Sequence, residues 1–270
     1  MTHGLSTRAV WVAGLLAAGL VSGCRAEPDV PPSPDPDPGT TPVGTAGTED
    51  PLFVERASAV GLDFIHVNGG TGRFYQPEIM GPGVALFDYD NDGDLDVYLV
   101  QGRMLNPGGQ APLAPEATRP GGRLYRNDLS IEGDGAAVLR FTDVTEPSGI
   151  DARAYGMGVA AGDFTNDGCI DLYLTHFGPN QLFHNDGDGT FTDVSRTSGT
   201  ADPGWSVPAA FLDFDRDGWL DLFVGNYLMY SLDRHITCEG ESGHLDYCAP
   251  ERHRPEPDRL YRNRGDGTFA

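Results

Sequence analysis

A chain of 270 residues, 39% of them hydrophobic, is long enough to bury a sizeable core in one or two domains. Forty acidic residues stand against 18 basic ones, all of them Arg, for a net charge of −22. Such a field repels nucleic acid and anionic lipid and leaves cations or basic surfaces as the natural partners. The 37 Gly and 21 Pro residues imply many turns, which favours a β-rich chain over a helical one.

The N-terminus reads as a targeting segment: Arg8 supplies a basic region, and Ala9 to Val21 form an apolar run too short to span a bilayer comfortably. Val21-Ser22-Gly23-Cys24 resembles the bacterial lipobox, in which small residues before a Cys permit lipidation and cleavage. Residues 1–23 are therefore expected to be a lipoprotein signal peptide and Cys24 the lipidated residue, an ordinary signal peptide with a chance Cys being the competing reading. Arg25, rather than Asp, follows the Cys, which by the same resemblance implies export with anchoring at the outer membrane or cell surface. The lipid would be the protein's one contact with the membrane.

Residues 24–50 form a tether. Ala26 to Asp50 contains seven prolines and neither an aromatic nor a basic residue, so it cannot bury enough apolar area to fold.

Residues 51–270 carry an internal repeat with three landmarks in fixed order. The first is an aromatic-led strand ending in Gly. Phe53-Val54-Glu55 leads to Gly61, Phe141-Thr142-Asp143 to Gly149, and Phe191-Thr192-Asp193 to Gly199, always eight residues from Phe to Gly. The second is an acidic loop: Asp88 to Asp96, Asp163 to Asp171 and Asp213 to Asp221 all fit D-x-[DT]-x-D-G-x-x-D. The third is Leu124-Tyr125-Arg126-Asn127, Leu182-Phe183-His184-Asn185 and Leu260-Tyr261-Arg262-Asn263, followed in the last two copies by Gly-Asp-Gly-Thr-Phe.

Short apolar runs flank the loops: Val84–Phe87 and Val97–Val100, Leu172–Leu174, then Ala209–Leu212 and Leu222–Val224. Their length and composition predict strands buried on both faces. A unit of about four short strands cannot bury its faces alone and must stack on its neighbours. The Pro- and Gly-rich insertion Gln101–Gly122 reads as a surface loop, and Tyr227–Pro257 is a second long insertion.

The acidic loops are candidate metal sites. Carboxylates packed into a nine-residue turn raise one another's pKa, and a divalent cation relieves the repulsion. The expected ligands are Asp88, Asp90, Asp92, Asp94 and Asp96 in the first loop, and Asp163, Thr165, Asp167, Cys169 and Asp171 in the second. In the third they are Asp213, Asp215, Asp217, Trp219 and Asp221. Position 6 is Gly for the sharp reversal, and position 7 is expected to offer its backbone carbonyl, so that Cys169 and Trp219 enter through main-chain oxygen. All-oxygen donors on a flexible loop suit Ca²⁺ better than Mg²⁺. An EF-hand needs an acidic residue at position 12, and Leu99, Leu174 and Val224 stand there. A solvated acidic turn without metal is the plainer alternative, strongest for the second loop, where Thr165 replaces a carboxylate.

These loops, with Leu-Tyr-Arg-Asn and Gly-Asp-Gly-Thr-Phe downstream, resemble FG-GAP/VCBS-type repeats, the calcium-carrying β-propeller blades of integrin α-subunits. Asp246-Tyr247-Cys248-Ala249-Pro250 ahead of Asp258 to Asn263 is similar to bacterial relatives of cartilage acidic protein. The resemblance implies an all-β fold, a β-propeller of four-stranded blades. Closed propellers of this kind have about seven blades. Three acidic loops, with the sequence stopping inside the third repeat's last motif, read as an incomplete ring.

Cys238 and Cys248 lie in the second insertion, where export favours a disulfide over free thiols. His235, His244 and His253 cluster around them; a zinc site is one reading and a solvated polar loop the preferred one. Arg264-Gly265-Asp266 spells an integrin-recognition tripeptide but coincides with the repeat's own turn. No catalytic signature is present, and the chain reads as no enzyme. The leading expectation is a calcium-binding surface module that recognises an extracellular protein or glycan. The repeat domain of a secreted carbohydrate-active enzyme and a structural envelope component are the alternatives.

Overall fold

The computed structural model describes residues 53–105 and 121–270. The signal peptide, Cys24 and the tether lie outside the described residues, as do residues 106–120 of the first insertion.

Each repeat folds as an antiparallel meander. The first sheet contains β1 (Val84–Phe87), β2 (Asp96–Leu99) and β3 (Arg123–Asn127); after a small hairpin of β4 (Ser130–Ile131) and β5 (Ala137–Val138) it ends on β6 (Phe141–Asp143). The second contains β7 (Tyr155–Gly162), β8 (Asp171–Phe177), β9 (Gln181–Asn185) and β10 (Phe191–Asp193), followed by the single-turn helix α1 (Ser195–Ser198). In the third, β11 (Ser206–Leu212) pairs with β12 (Asp221–Asn226); the chain then passes through a hairpin of β13 (Cys238–Glu239) and β14 (Leu245–Asp246) before β15 (Arg259–Tyr261). An Asn263–Phe269 bridge occupies the place of a fourth strand.

The register repeats with the sequence. Phe87 faces Asp96, Gly162 faces Asp171 and Leu212 faces Asp221, so every acidic loop closes the same hairpin. On the far side Asn127 faces Phe141 and Asn185 faces Phe191. Phe53-Val54-Glu55 departs from this pattern: it forms no strand, and Phe53 is 88% exposed. Phe141 and Phe191 are held by ladders to β3 and β9, and among the described residues nothing offers Phe53 such an edge.

The sheets stack through two apolar layers. Ala85, Phe87, Tyr98 and Leu124 of the first sheet meet Leu172, Leu174, Phe183, Val159 and Ala161 of the second. The opposite side of the second sheet, through Ala160, Tyr173 and Leu182, meets Leu222, Val224, Ala209 and Phe211 of the third. Leu124, Leu172, Leu182 and Leu222 have no exposed surface, which for each contributes about 1.5–3 kcal/mol relative to an exposed side chain.

Burial on both faces holds for the middle sheet and for β2 and β3, where Val97 and Tyr98 and then Leu124 and Tyr125 are all buried, but not for the first strands of the outer sheets. In β1, Val84 and Leu86 point outward while Ala85 and Phe87 point in, and β11 likewise alternates, because each outer sheet has one stacked neighbour. Gly83 and Gly158 let the first strands approach closely: a Cβ on Gly83 would lie 2.9 Å from Gly158 Cα, and one on Gly158 2.3 Å from Val207 O.

At the end of the sheets away from the acidic loops, Tyr75, Leu105, Tyr155, Met157, Trp205 and Leu228 form a third apolar layer. The first insertion starts inside this layer rather than on the surface. Gln101 is buried, and its amide bonds Ile65 O and the Val67 N–H. Cys238 and Cys248 are bonded, with Sγ atoms 2.08 Å apart, and close the β13–β14 hairpin. Among the described residues no helix is long and apolar enough to cross a membrane.

Candidate metal centres in the acidic loops

The three loops share one backbone path. Position 4 takes a left-handed conformation at Asn91 (φ 59°), Asn166 (φ 56°) and Arg216 (φ 63°), and position 6 at Gly93, Gly168 and Gly218. Asn tolerates that region, Gly enters it freely, and Arg216 is the strained member.

Carboxylates hold the turn. Asp88 Oδ1 and Oδ2 accept the Asp92 and Gly93 N–H groups at 3.1 and 2.9 Å. Asp163 and Asp213 do the same for Asp167 and Gly168, and for Asp217 and Gly218. Position 5 folds back: Asp92, Asp167 and Asp217 accept from the N–H of Asp94, Cys169 and Trp219.

Position 9 ties each loop to its sheet. Asp96 accepts from Tyr89 N and Asn127 N, both at 2.8 Å. Asp171 accepts from Phe164 N and Asn185 N, and Asp221 from Phe214 N and Asn263 N. All three carboxylates are fully buried.

Two groups of acidic oxygens converge. Asp88, Asp90 and Asp96 can each bring one oxygen within 4.8 Å of the others, and so can Asp213, Asp215 and Asp221. Asp92, Asp94 and Asp217 are not members of these trios. In the second loop Thr165 Oγ1 lies 3.3 Å from Asp163 Oδ1, so a neutral hydroxyl takes the place of the third carboxylate. Cys169 Sγ, partly exposed, lies 3.7 Å from Asn91 Nδ2 of the first loop.

Burial pushes the Asp96 carboxyl up to about 6, against the pull of its two backbone donors. Asp171 is likewise pushed up to about 6 by burial. Burial, then the neighbouring Asp92 and Asp88, raises Asp90. Crowded, desolvated carboxylates whose ionised form is disfavoured make an all-oxygen donor set, and this fits a hard divalent cation.

The third residue of the downstream motif, which sequence reasoning left without a role, sets a basic side chain beside the second and third loops. Arg262 Nε lies 2.6 Å from Asp215 Oδ2, and its Nη2 is 3.1 Å from Asp217 Oδ2. His184 Nδ1 lies 2.9 Å from Asp171 Oδ1. Arg126 turns to Asp128 instead, at 2.7 Å.

The Asn that ends the motif clamps neighbouring repeats. Asn185 Nδ2 donates to Ile170 O in its own loop and to Tyr89 O in the preceding one, while Oδ1 accepts from Gly187 N. Asn263 repeats this with Leu220 O, Phe164 O and Gly265 N. The recurrence of Asn at one motif position was the signal for this role.

The chain is thus a nearly all-β protein of stacked antiparallel meanders, each closed by an acidic turn. Residues 163–224, which span the second and third acidic loops, match the family described as FG-GAP-like repeat. Over 153 residues the chain is 31% identical to cartilage acidic protein 1 of Homo sapiens. The match covers 54% of this chain and 20% of that protein, so the chain spans about a fifth of the relative's length.

Proposed function

We propose that this chain is a calcium-binding, propeller-type repeat module, exported and held at a membrane by a lipid on Cys24, which recognises an extracellular protein or glycan. The observation that carries the reading is the convergence of Asp88, Asp90 and Asp96, repeated by Asp213, Asp215 and Asp221, on loops of one conformation along one end of the sheets. The FG-GAP-like match over the second and third loops supports a recognition-type repeat.

The blade reading draws on the two outer faces. Val84 and Leu86 of the first sheet, and Leu212, Phe223 and Leu260 of the third, are exposed. Their counterparts in the middle sheet, Val159 and Ala161 on one side and Tyr173 and Leu182 on the other, pack against neighbouring sheets. Further blades on both flanks account for apolar residues at these positions.

Calcium would stiffen the loop end by bridging positions 1, 3 and 9, which join the start of each turn to the strand that follows. Extracellular modules of this chemistry bind calcium with Kd on the order of 10⁻⁴–10⁻³ M. The test is thermal unfolding of the full chain in excess chelator and in millimolar calcium. A tenfold excess over Kd stabilises by about 1.4 kcal/mol per filled site, and two or three sites raise Tm by several degrees. Identical melting curves in the two buffers would refute calcium binding.

A further inference from the structure

The end of the sheets away from the acidic loops holds a concentration of buried polar atoms without partners. Among the described residues six side-chain atoms are in this state, and four of them are Gln76 Oε1, Trp205 Nε1, His235 Nε2 and His253 Nε2. All four residues meet Tyr230. The rings of His235, His253 and Trp205 have centroids 6.2, 5.3 and 5.7 Å from that of Tyr230, the two imidazoles at 79° and 83° to its plane. The Tyr230 hydroxyl bonds the Gln76 backbone and lies 2.9 Å from His235 Nδ1.

We propose that His235 and His253 form a metal site separate from the acidic loops, one that takes an imidazole-preferring divalent ion such as Cu²⁺ or Zn²⁺. Buried nitrogens are ordinarily paired, so two bare Nε2 atoms beside the same ring need an explanation. The Tyr230 oxygen next to His235 Nδ1 accounts for one half of the arrangement. An Nδ1–H donated to that oxygen leaves the Nε2 lone pair free, which is how metal-binding histidines are oriented. Neither Nε2 atom has a hydrogen-bond partner, and a cation that accepted both lone pairs would satisfy them together.

The surroundings are built rather than loose. The Cys238–Cys248 bridge closes the hairpin between the two histidines, and Gln76 Nε2 donates to Cys248 O, tying that hairpin to the segment before β1. His244, at the exposed turn of the same hairpin, stands apart. His235 and His253 are partly buried rather than fully solvated, packing on Tyr75 and Tyr230 with their Nε2 atoms covered.

A cavity of about 660 Å³ walled by Phe177, Trp205, Tyr230, Arg234 and Glu256 shares Trp205 and Tyr230 with the surroundings of the pair, although neither histidine lines it. Among the described residues neither histidine belongs to a convergent group of three or more His, Cys, Asp or Glu ligands. The remaining positions fall to neutral oxygen or to water, which makes the site open to an exogenous ligand. Imidazole donors favour copper and zinc over calcium, which separates this site chemically from the loops.

The test uses the full chain, stripped with chelator and dialysed against Cu²⁺ or Zn²⁺ with millimolar calcium present throughout. One equivalent of copper should be retained, with nitrogen hyperfine coupling from two imidazoles in its electron paramagnetic resonance spectrum. His235→Gln and His253→Gln should each weaken copper binding at least tenfold, as expected on loss of a ligand, and His244→Gln should not. Tyr230→Phe keeps the ring but removes the partner of His235 Nδ1, and should weaken binding by about tenfold. No copper retained by the wild type, or undiminished retention in the double His235→Gln, His253→Gln variant, overturns the proposal. If the glutamine variants melt early, Tyr230→Phe decides: unchanged copper affinity there also overturns it.

Discussion

Asn127 and Asn185 occupy the same position of successive repeats, yet the structure gives them unequal work. Asn185 makes three bonds, to Tyr89 O at 2.8 Å, Ile170 O at 3.2 Å and Gly187 N at 3.0 Å. Asn127 makes one with its side chain, to Leu95 O at 3.1 Å, and its Oδ1 has no partner. Replacing each with Ala removes the same atoms from similarly buried sites, so transfer and cavity contributions nearly cancel between the two variants. With about 1 kcal/mol per bond, Asn185→Ala should cost about 3 kcal/mol and Asn127→Ala about 1. In a domain of this size that corresponds to Tm losses of about 6–12 °C and 2–4 °C. Urea unfolding at constant m-value measures both in one set of experiments. The bond to Tyr89 O crosses between sheets, so the larger loss also reports on the coupling of adjacent repeats. Equal costs for the two substitutions, or a larger one at Asn127, would refute the clamp.

His176 has a buried ring whose Nδ1 lies 3.1 Å from Pro179 O, and burial lowers its pKa to about 4. Because the folded-state value is depressed, its contribution is intact above about pH 6.5 and is lost as pH falls towards 4. From pH 7.5 to 5 the wild type should lose about 2 kcal/mol more stability than His176→Gln, and parallel pH profiles in chemical denaturation would contradict this. Arg262→Gln removes a cation that lies 2.6 Å from Asp215 Oδ2 and 3.1 Å from Asp217 Oδ2, worth about 1 kcal/mol at high dielectric. Calorimetric titration should then show calcium binding that loop about fivefold more tightly, and weaker binding would mean that Arg262 positions the ligands instead. Cys24→Ala should shift the exported protein from membrane to soluble fractions, since a lipid on that residue is the proposed anchor; continued membrane association would point to a protein partner.

The acidic loops were legible because their information is local. Ligand spacing, Gly at position 6 and, in the first two loops, Asn at position 4 all act within nine residues, and the observed turn follows from them. The strands around the loops were legible for a similar reason, since β-branched and aromatic runs bounded by turn residues specify extended chain without reference to the rest of the fold. Which side of a strand is covered depends on what stacks against it. Val84 and Val159 hold the same place in the repeat, and one is exposed while the other packs against the first core layer. Phe53 shares its motif with Phe141 and Phe191 but has no strand beside it, because a ladder needs a partner that the motif does not contain.

The sequence showed a recurring Asn and a cluster of histidines, but the partners of the asparagine clamps and of His235 and His253 lay beyond it. Asn185 reaches a carbonyl 96 residues away, and His235 and His253 meet on one tyrosine ring through an insertion whose course is set by a disulfide and by contacts to Gln76. Local chemistry therefore determined where the acidic turns and strands are. Tertiary packing decided which of their groups are buried, paired or left without a partner, because those properties belong to contacts between segments distant in the chain.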